Sequence, residues 1–281
     1  MDWSKAKTIL IVAFIITNIL LGVVLVSNNK QIDSTTKKGF VEDVTRLLEK
    51  KDILIDTQIS REIPSLNTLD VEYEIIDISK INDNFFKGNG IMESKGENIV
   101  TISKGDEYIS IMNNKILSYE NRDELERYKE LTKEKAKDIA VEFLKNRKYD
   151  VSDMKLSYVK EEEDNYNLEF SKLYNERYLE TAYINMVVDS SGVKNLDRIW
   201  LNVKSEGEAS IYINTAPKAI LSLLSMEEVY GKTISDISLC YYFDPEKHEY
   251  IEDPKNARKG RTIPAWRVLF DDGHKIIIDN Y

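Results

Sequence analysis

Residues 151–158, VSDMKLSY, recur 83 positions later as residues 234–241, ISDISLCY. The same offset relates three further pairs of short segments: Thr132-x-x-Lys135-Ala136 and Thr215-x-x-Lys218-Ala219, Ala182-Tyr183 and Ala265-Trp266, and Asp189 and Asp272. Four matches at one offset, without a gap, indicate an internal repeat. We therefore predict two tandem units, the first over 132–214 and the second over 215–281, with Tyr183 and Trp266 in equivalent places.

Each unit is predicted to be one helix followed by an antiparallel meander. In the first unit the helix covers 133–148, because Ala136, Ile139, Ala140 and Phe143 recur at helical spacing. Its strands are expected near 154–160, 166–174, 181–188 and 195–203. In the second unit we predict a helix over 217–229, with Pro217 in its first turn, and strands near 237–243, 262–270 and 274–280. Asp271-Asp272-Gly273 indicates a hairpin turn.

The chain before the repeat is predicted to form an N-terminal α+β unit over 37–131, after a linker over 27–36. An amphipathic pattern indicates a helix over 38–51. Runs typical of strands follow at 71–78, 98–102, 107–112 and 116–119, with turns between them. A polar helix over 122–131 is expected to lead into the repeat. The predicted fold class is therefore α+β.

Residues 8–26, TILIVAFIITNILLGVVLV, are nineteen residues without a charge. A helix of this length is about 28 Å long, close to the ~30 Å hydrocarbon core of a bilayer. The segment has no polar face, which argues against a buried core helix. A cleaved signal peptide is the alternative, since Lys5 and Lys7 form a basic start, but no small-residue cleavage site follows. We predict a single uncleaved transmembrane helix.

The flanks of this segment predict its orientation. A short basic tail over 1–7 is most easily retained in the cytoplasm, while the long remainder is translocated. The expected location is the cell membrane, crossed once, with the C-terminal part extracellular.

Two groups of residues around the predicted membrane helix are candidate contact sites. Phe14, Asn18, Gly22 and Leu25 form one helical stripe, on which Gly22 permits close backbone approach and Asn18 seeks a hydrogen bond across to another helix. We predict that this stripe binds partner helices, against the alternative that it belongs to a simple tether. Trp3, Lys5 and Lys7 are predicted to lie at the membrane interface.

Composition limits the chemistry available to the chain. Its 281 residues carry 39 Lys and Arg against 49 Asp and Glu, a net charge of −10, which argues against nucleic-acid binding. One cysteine and two histidines exclude a disulfide within the chain and any cluster of cysteine ligands for a metal. No catalytic motif based on serine or a phosphate loop is present. We expect no enzyme activity, no cofactor and no metal.

Three local features could be metal or catalytic sites, but a structural interpretation is favoured for each. Residues 161–164, EEED, offer clustered carboxylates but lack the alternation of a calcium loop, so a solvated hairpin tip is favoured. His274 follows a turn and is interpreted as a strand residue. Cys240 lies in a predicted strand and is interpreted as buried, although a pair with one of the two histidines stays open.

Two resemblances extend this interpretation. One helix on a three- or four-stranded antiparallel sheet, ending in an aromatic strand, an Asp-Gly turn and a terminal strand, resembles the PepSY-like module, which implies a binding or inhibitory unit. The opening MDWSKAKTI, joined directly to the apolar segment, resembles the start of the YycI (WalI) family, as does IPAWR at 263–267 at the end of the tandem units.

The YycI resemblance implies a function. It implies a non-enzymatic accessory in the membrane of Gram-positive bacteria that associates with the cell-wall-sensing kinase WalK (YycG) and a sister protein, YycH (WalH), through membrane helices. Relatives differ in whether the accessory restrains or activates the kinase. The alternative is a tethered outer-surface module that inhibits a protease or binds a peptide or wall polymer.

Overall fold

The computed structural model describes residues 3–28, 34–247, 253 and 257–279. Parts of the predicted tail and linker, His248 and the last two residues lie outside this set. Within the first helix, side chains are described at Lys7 and over 10–21. The α-helices are α1 (Trp3–Asn28), α2 (Lys38–Glu49), α3 (Ile78–Phe86), α4 (Lys133–Asn146) and α5 (Ala216–Ala219).

Strands make up most of the remaining described chain. Those before α4 are β1 (Leu54–Ile55), β2 (Ser65–Tyr73), β3 (Ile91–Ser94), β4 (Ile99–Lys104), β5 (Glu107–Met112) and β6 (Ile116–Asn121). Between α4 and α5 lie β7 (Met154–Glu161), β8 (Asn165–Tyr174), β9 (Arg177–Asp189), β10 (Gly192–Ile199) and β11 (Leu201–Tyr212). The last are β12 (Thr233–Tyr242), β13 (Lys259–Arg261), β14 (Ile263–Phe270) and β15 (Lys275–Ile278). The α+β class is thus found. Strands are present near 154–160, 166–174 and 181–188 as predicted, whereas the strand predicted near 195–203 is divided at Trp200 into β10 and β11, which lie in different sheets.

One large sheet runs through both predicted units. Within the described residues it has twelve strands, with the main order β15-β14-β12-β9-β10-β6-β5-β4-β3. Strand β9 connects the two halves, because residues 183–189 pair with β10 while Tyr178–Glu180 pair in parallel with β12. On its other edge β9 pairs with β8, which pairs with β7. A separate antiparallel sheet has the order β11-β2-β13.

Helix α4 covers the centre of the large sheet. It begins after Thr132, whose side chain accepts a hydrogen bond from the Lys135 amide and so caps the first turn. Its buried residues, Ala136, Ala140 and Leu144, follow the predicted helical stripe and pack across β8, β9 and β10. Small alanines allow the helix to approach the sheet closely, so the first unit is a helix on a meander.

The second half of the sheet is covered by helical segments from both ends of the chain. Val44 and Leu48 of α2 belong to the same buried cluster as Ile220 and Leu223, together with Trp266 of β14. The helix predicted over 38–51 is therefore present, but it packs on the second unit rather than within the N-terminal unit. The domain boundaries at 131 and 214 stay a prediction, and the packing of α2 crosses them.

Two helix predictions were wrong. Instead of one helix over 217–229, a single turn, α5, is followed by 3-10 turns at Ile220–Ser225 and Glu227–Val229. The spacing of the buried Ile220 and Leu223 suits a 3-10 turn, in which residues three apart share a face.

The second error concerns residues 122–131, which contain no helix. There the amides of Arg127 and Tyr128 both donate to the Ser190 carbonyl, a contact with the β9–β10 turn that no local pattern encodes.

The 83-residue offset holds for β7 and β12 but fails for β9 and β14. Met154 and Ile237 each pack on the cluster of their own unit. In β9, Ala182 and Ile184 belong to the buried cluster of the first unit, and Tyr183 between them is half-buried on the opposite face. In β14, by contrast, Trp266 itself belongs to the buried cluster of the second unit and is 3% exposed. Because strand side chains alternate, a shift by one residue exchanges the faces. The predicted equivalence of Tyr183 and Trp266 was therefore wrong.

Among the residues whose side chains are described, which in α1 are Lys7 and 10–21, no helix is long and apolar enough to cross a membrane. The single span over 8–26 stays a prediction.

Candidate functional site

The first candidate site is the exposed apolar surface of α1. Over the residues with described side chains, Leu10 is 72% exposed, Phe14 66% and Ile19 61%. Thr17 satisfies its hydroxyl internally, by donating to the Ala13 carbonyl at 2.9 Å. The helix therefore presents large apolar side chains that the described part of the fold leaves uncovered.

The predicted contact residues all lie in this one helix. Phe14, Asn18, Gly22 and Leu25 fall in continuous helical backbone, so their spacing places them on one stripe. Phe14 and Asn18 are exposed, and at Gly22 and Leu25 only the backbone is described. The interfacial candidates Trp3, Lys5 and Lys7 lie in the first turns, with Lys7 exposed. The structure thus supplies the helical spacing of the stripe and leaves its contact role a prediction.

A second feature is a buried ionic junction between the two halves of the large sheet, formed by Arg267, Glu180, Lys275, Glu169 and Asp236. Arg267 Nε lies 2.8 Å from Glu180 Oε1, and its Nη1 donates to Asp236 Oδ2 at 3.0 Å. Lys275 Nζ donates to Glu169 Oε1 at 2.6 Å and to Glu180 Oε2 at 2.9 Å. Each of these residues is on a different strand. The junction therefore ties β8 and β9 to β12, β14 and β15.

Burial makes this junction energetically sensitive. The Arg267 side chain is 1% exposed and that of Glu180 is 6% exposed. The Arg267 guanidinium also lies 4.4 Å from the centre of the Tyr178 ring. Burial lowers the pKa of Lys275, but the attraction of Glu180 and Glu169 outweighs it, so the pKa is raised overall. The junction thus places two cations, Arg267 and Lys275, among three carboxylates.

Strained backbone lies beside the junction. Thr181 has φ of 82°, a conformation that is rare for a branched side chain. Its hydroxyl donates to the Phe243 carbonyl at 2.5 Å. At this point the pairing of β9 with β8 shifts register, between Ser171 and Lys172 of β8. Thr181 therefore marks the point at which β9 leaves one half of the sheet and joins the other.

The remaining sequence candidates have structural roles. Cys240 is fully buried in β12, and this burial raises the pKa of its thiol well above the ordinary value, which disfavours the reactive thiolate. Residues 162–164 lie in the turn between β7 and β8, where Lys160 Nζ pairs with Glu162 at 2.8 Å. His274 follows the predicted turn at Asp271–Gly273, and its ring lies 5.8 Å from that of Phe270. In the described part of the chain, no group of three or more His, Cys, Asp and Glu residues could hold a metal ion.

Reasoning from the sequence missed the ionic junction. Its one local signal is Arg267, a lone charge within the apolar strand sequence IPAWRVLF at 263–270. Such a charge must find a partner when the strand is buried on both faces. The partners Glu180 and Asp236 could not be identified, because charged residues in strands usually face water.

The sequence matches no family model. It also matches no curated protein. Similarity is found at the level of structure.

The fold defines a sheet-rich α+β protein of a type seen in solved structures. An uncharacterized protein from Eubacterium rectale is similar over 85% of this chain and 96% of its own, with a TM-score of 0.54 and 15% identity. YycH from Bacillus subtilis is similar over 79% of this chain, with a TM-score of 0.50 and 11% identity. Only 56% of that YycH chain is covered, so the similarity spans about half of it. The C-terminal domain of YpeB from Bacillus megaterium matches 72% of this chain and 88% of its own, at a TM-score of 0.39 and 11% identity.

Proposed function

We propose that this chain is a membrane-anchored, non-enzymatic regulator of a cell-wall-sensing two-component histidine kinase. The observation that carries the proposal is α1, a continuous helix that contains the uncharged segment 8–26 and exposes large apolar side chains. In water such a surface is costly, and in a bilayer it is favourable. The fold shared with YycH agrees with this role.

The proposed partners follow from the resemblance of the opening sequence to the YycI family. They are a kinase of the WalK (YycG) type and a sister protein of the YycH type, bound through membrane helices. The contact face is the stripe of Phe14, Asn18, Gly22 and Leu25. Lys5 and Lys7 lie on the cytoplasmic side in this proposal, and the two PepSY-like units lie outside the cell.

The outer part would act on the kinase as one body. The ionic junction ties the two halves of the large sheet, so a load on one half reaches the other through β9. Movement or binding in the outer part would then be transmitted to α1 and its partner helices.

Replacing the membrane segment tests this function. Residues 8–26 are exchanged for an unrelated uncharged span of nineteen residues, and kinase output is measured with a reporter of its response regulator. We expect normal abundance in the membrane fraction but loss of kinase control. As a control, the native segment is fused to an unrelated outer domain, which separates the contribution of the helix. Unchanged kinase control in the exchanged variant would contradict the proposal.

The orientation is tested separately. Protease added to intact cells stripped of their wall should digest the chain beyond residue 30 and leave a stub in the membrane. Protection of the long part would overturn the proposed orientation, as would a mature chain that begins near residue 27.

A second candidate function is a tethered outer-surface binding module, for which α1 serves only as an anchor. A cleft of about 460 Å³ in the described fold favours it. In this case the exchanged span would leave function intact, whereas changes in the cleft would abolish it.

A further inference from the structure

The cleft lies between α4 and the β5–β6 hairpin. Its walls are formed by Phe143 and Asn146 of α4, by Arg147 directly after this helix, and by Glu107 and Tyr119 of the hairpin. One end is closed by the segment after β6 and by the β9–β10 turn, which are held together by the bonds of the Arg127 and Tyr128 amides to Ser190. Because these walls belong to packed elements, the cleft is formed in advance of any ligand. Its volume of about 460 Å³ is in the range of small-molecule sites, about 300–1,000 Å³.

The most informative residue of the cleft is Arg147, a half-buried cation whose charge is incompletely compensated. Its side chain is 19% exposed, and the one carboxylate paired with it, Glu107, lies 3.6 Å from Nη2. That distance is too long for a hydrogen bond. The Glu107 Oε1 atom instead accepts a short hydrogen bond from the Tyr119 hydroxyl, at 2.6 Å. The guanidinium therefore receives only part of the negative charge beside it.

The hydrogen bonds of Arg147 are also incomplete. Its Nη1 donates to the Phe143 carbonyl at 3.4 Å, and its Nε is buried without a partner. The guanidinium carbon lies 3.4 Å from the centre of the Phe143 ring and 5.0 Å from that of Phe85, so aromatic stacking fixes its plane. Burial lowers the pKa of Arg147. A guanidinium held flat with unused donors is suited to a planar anion.

The other charged side chains of the cleft differ in whether they already form an ion pair. Lys104 makes a long hydrogen bond, 3.4 Å, to the Phe86 carbonyl and forms no ion pair with a described carboxylate. Arg127 is already paired with Asp123. Asp106 and Glu142 are exposed and form no ion pair with described cations. The cleft thus contains both cations and carboxylates, and of these Lys104, Asp106 and Glu142 are exposed and form no ion pair with described residues.

We propose that this cleft binds a short peptide by its free carboxylate, with Arg147 and Lys104 as the carboxylate ligands. The carboxylate would approach the Nη atoms of Arg147, whose Nε is buried, and the peptide amino group would face Asp106 and Glu142. Both charges of a zwitterionic peptide are matched in this orientation. A ligand bearing only a cation would leave Arg147 uncompensated.

This site is separate from the function proposed for α1 and adds to it an outer ligand. It is also independent of the kinase, since no residue of the cleft lies in α1. If exchanging the membrane span did not change kinase control, the proposal of peptide binding would be unaffected. Failure of peptide binding would leave the proposed action of α1 standing.

The test is calorimetric titration of the full chain in detergent micelles with three probes. These are trialanine with both ends free, its C-terminal amide and its N-acetyl derivative. We expect the free peptide to bind, the amide to bind at least tenfold more weakly and the acetylated peptide to bind about threefold more weakly. A loss of tenfold corresponds to about 1.4 kcal/mol, within the usual contribution of hydrogen bonds to charged groups.

Variants assign the effect to the two cations. Lys104→Gln changes an exposed side chain and should weaken trialanine binding several-fold with an unchanged melting temperature. Arg147→Lys keeps the charge but removes the planar fork, and should weaken binding at least tenfold. Lys137→Gln, an exposed lysine of α4 outside the cleft, is the matched control and should bind normally. Equal binding of the free peptide and its amide, or no binding of trialanine at millimolar concentration, would overturn the proposal.

Discussion

Arg267 shows how one residue can decide the joining of two halves of a sheet. It is a fully buried cation that faces Glu180 and Asp236, and its charge cannot be hydrated in place. Removing one member of a buried ion pair leaves the other charge unpaired, and this costs about 3–5 kcal/mol. Arg267→Met keeps an unbranched apolar stem and removes the charge. Because Glu180 stays paired with Lys275, we expect Arg267→Met to lower the free energy of unfolding by about 3 kcal/mol, the lower end of this range, measured by urea denaturation.

The control for this variant is an exposed ion pair. Arg46 and Asp43 lie 3.4 Å apart on α2 and are both 66% exposed. Arg46→Met should change the free energy of unfolding by less than about 1 kcal/mol. If Arg267→Met were as mild as this control, the junction would not be what holds the halves together.

Several buried groups that are protonated in the native state make the protein less stable at alkaline pH. Burial raises the pKa of Cys240 above its ordinary 9.0, and burial raises the pKa values of Tyr73 and Tyr149 to about 12. The native state therefore keeps protons that the unfolded chain releases, so the free energy of unfolding falls as pH rises above about 9. Lys275 acts in the same direction, because its stabilising charge is lost as pH rises through its raised native pKa.

We expect the urea midpoint to decrease steadily between pH 8 and pH 11. In Cys240→Ala the decrease near pH 9 should be smaller, since the buried thiol no longer contributes, although the cavity lowers stability at every pH. A midpoint that is constant up to pH 11 would contradict the burial of these groups. So would an identical pH profile in Cys240→Ala.

At the scale of elements, α4 depends on its first turn. The Thr132 side chain accepts a hydrogen bond from the Lys135 amide at 3.3 Å, which caps a helix whose alanines pack on the sheet. Thr132→Ala should lower the free energy of unfolding by about 1 kcal/mol. Thr132→Ser keeps the hydroxyl and should retain most of the stability that the cap contributes. Urea denaturation compares the two. Equal loss in both variants would show that the methyl group matters rather than the cap.

The elements also show what a sequence can and cannot predict. The first three strands of the first unit and the 271–273 turn were predictable, because they follow from local apolar runs and turn residues. The helix over 217–229 was not, since packing against α2 imposes a different backbone there. The one-residue shift between β9 and β14 was also hidden, because a register change at Thr181 has no local signature. The ionic junction and the cleft depend on contacts between distant strands and helices, which no spacing reveals.

At the scale of the whole molecule, the part of the chain after α1 is large and continuous, and α1 is a single exposed helix. The large sheet passes from β15 to β3 through both predicted units, so its halves are joined by strand pairing as well as by the ionic junction. A regulator of this form would signal through the position of α1 rather than through loose outer domains. The critical contact is then the one that α1 makes with other helices.

Asn18 is the residue through which this contact can be tested. An amide in a bilayer loses its water, and a hydrogen bond to another helix is worth roughly 0.6–2 kcal/mol. That corresponds to a factor of about 3 to 30 in association. Asn18→Leu should insert normally, because leucine favours the bilayer, but should weaken association with the kinase and sister helices by this factor. The double change Asn18→Leu with Gly22→Ile should weaken association further, since a bulky side chain prevents close approach of the backbones.

The measurement is site-directed crosslinking in membranes at matched expression, with Ile15→Leu as a conservative control in the same helix. Unchanged crosslinking in the double variant would show that the stripe is not the contact face, and α1 would then be a tether.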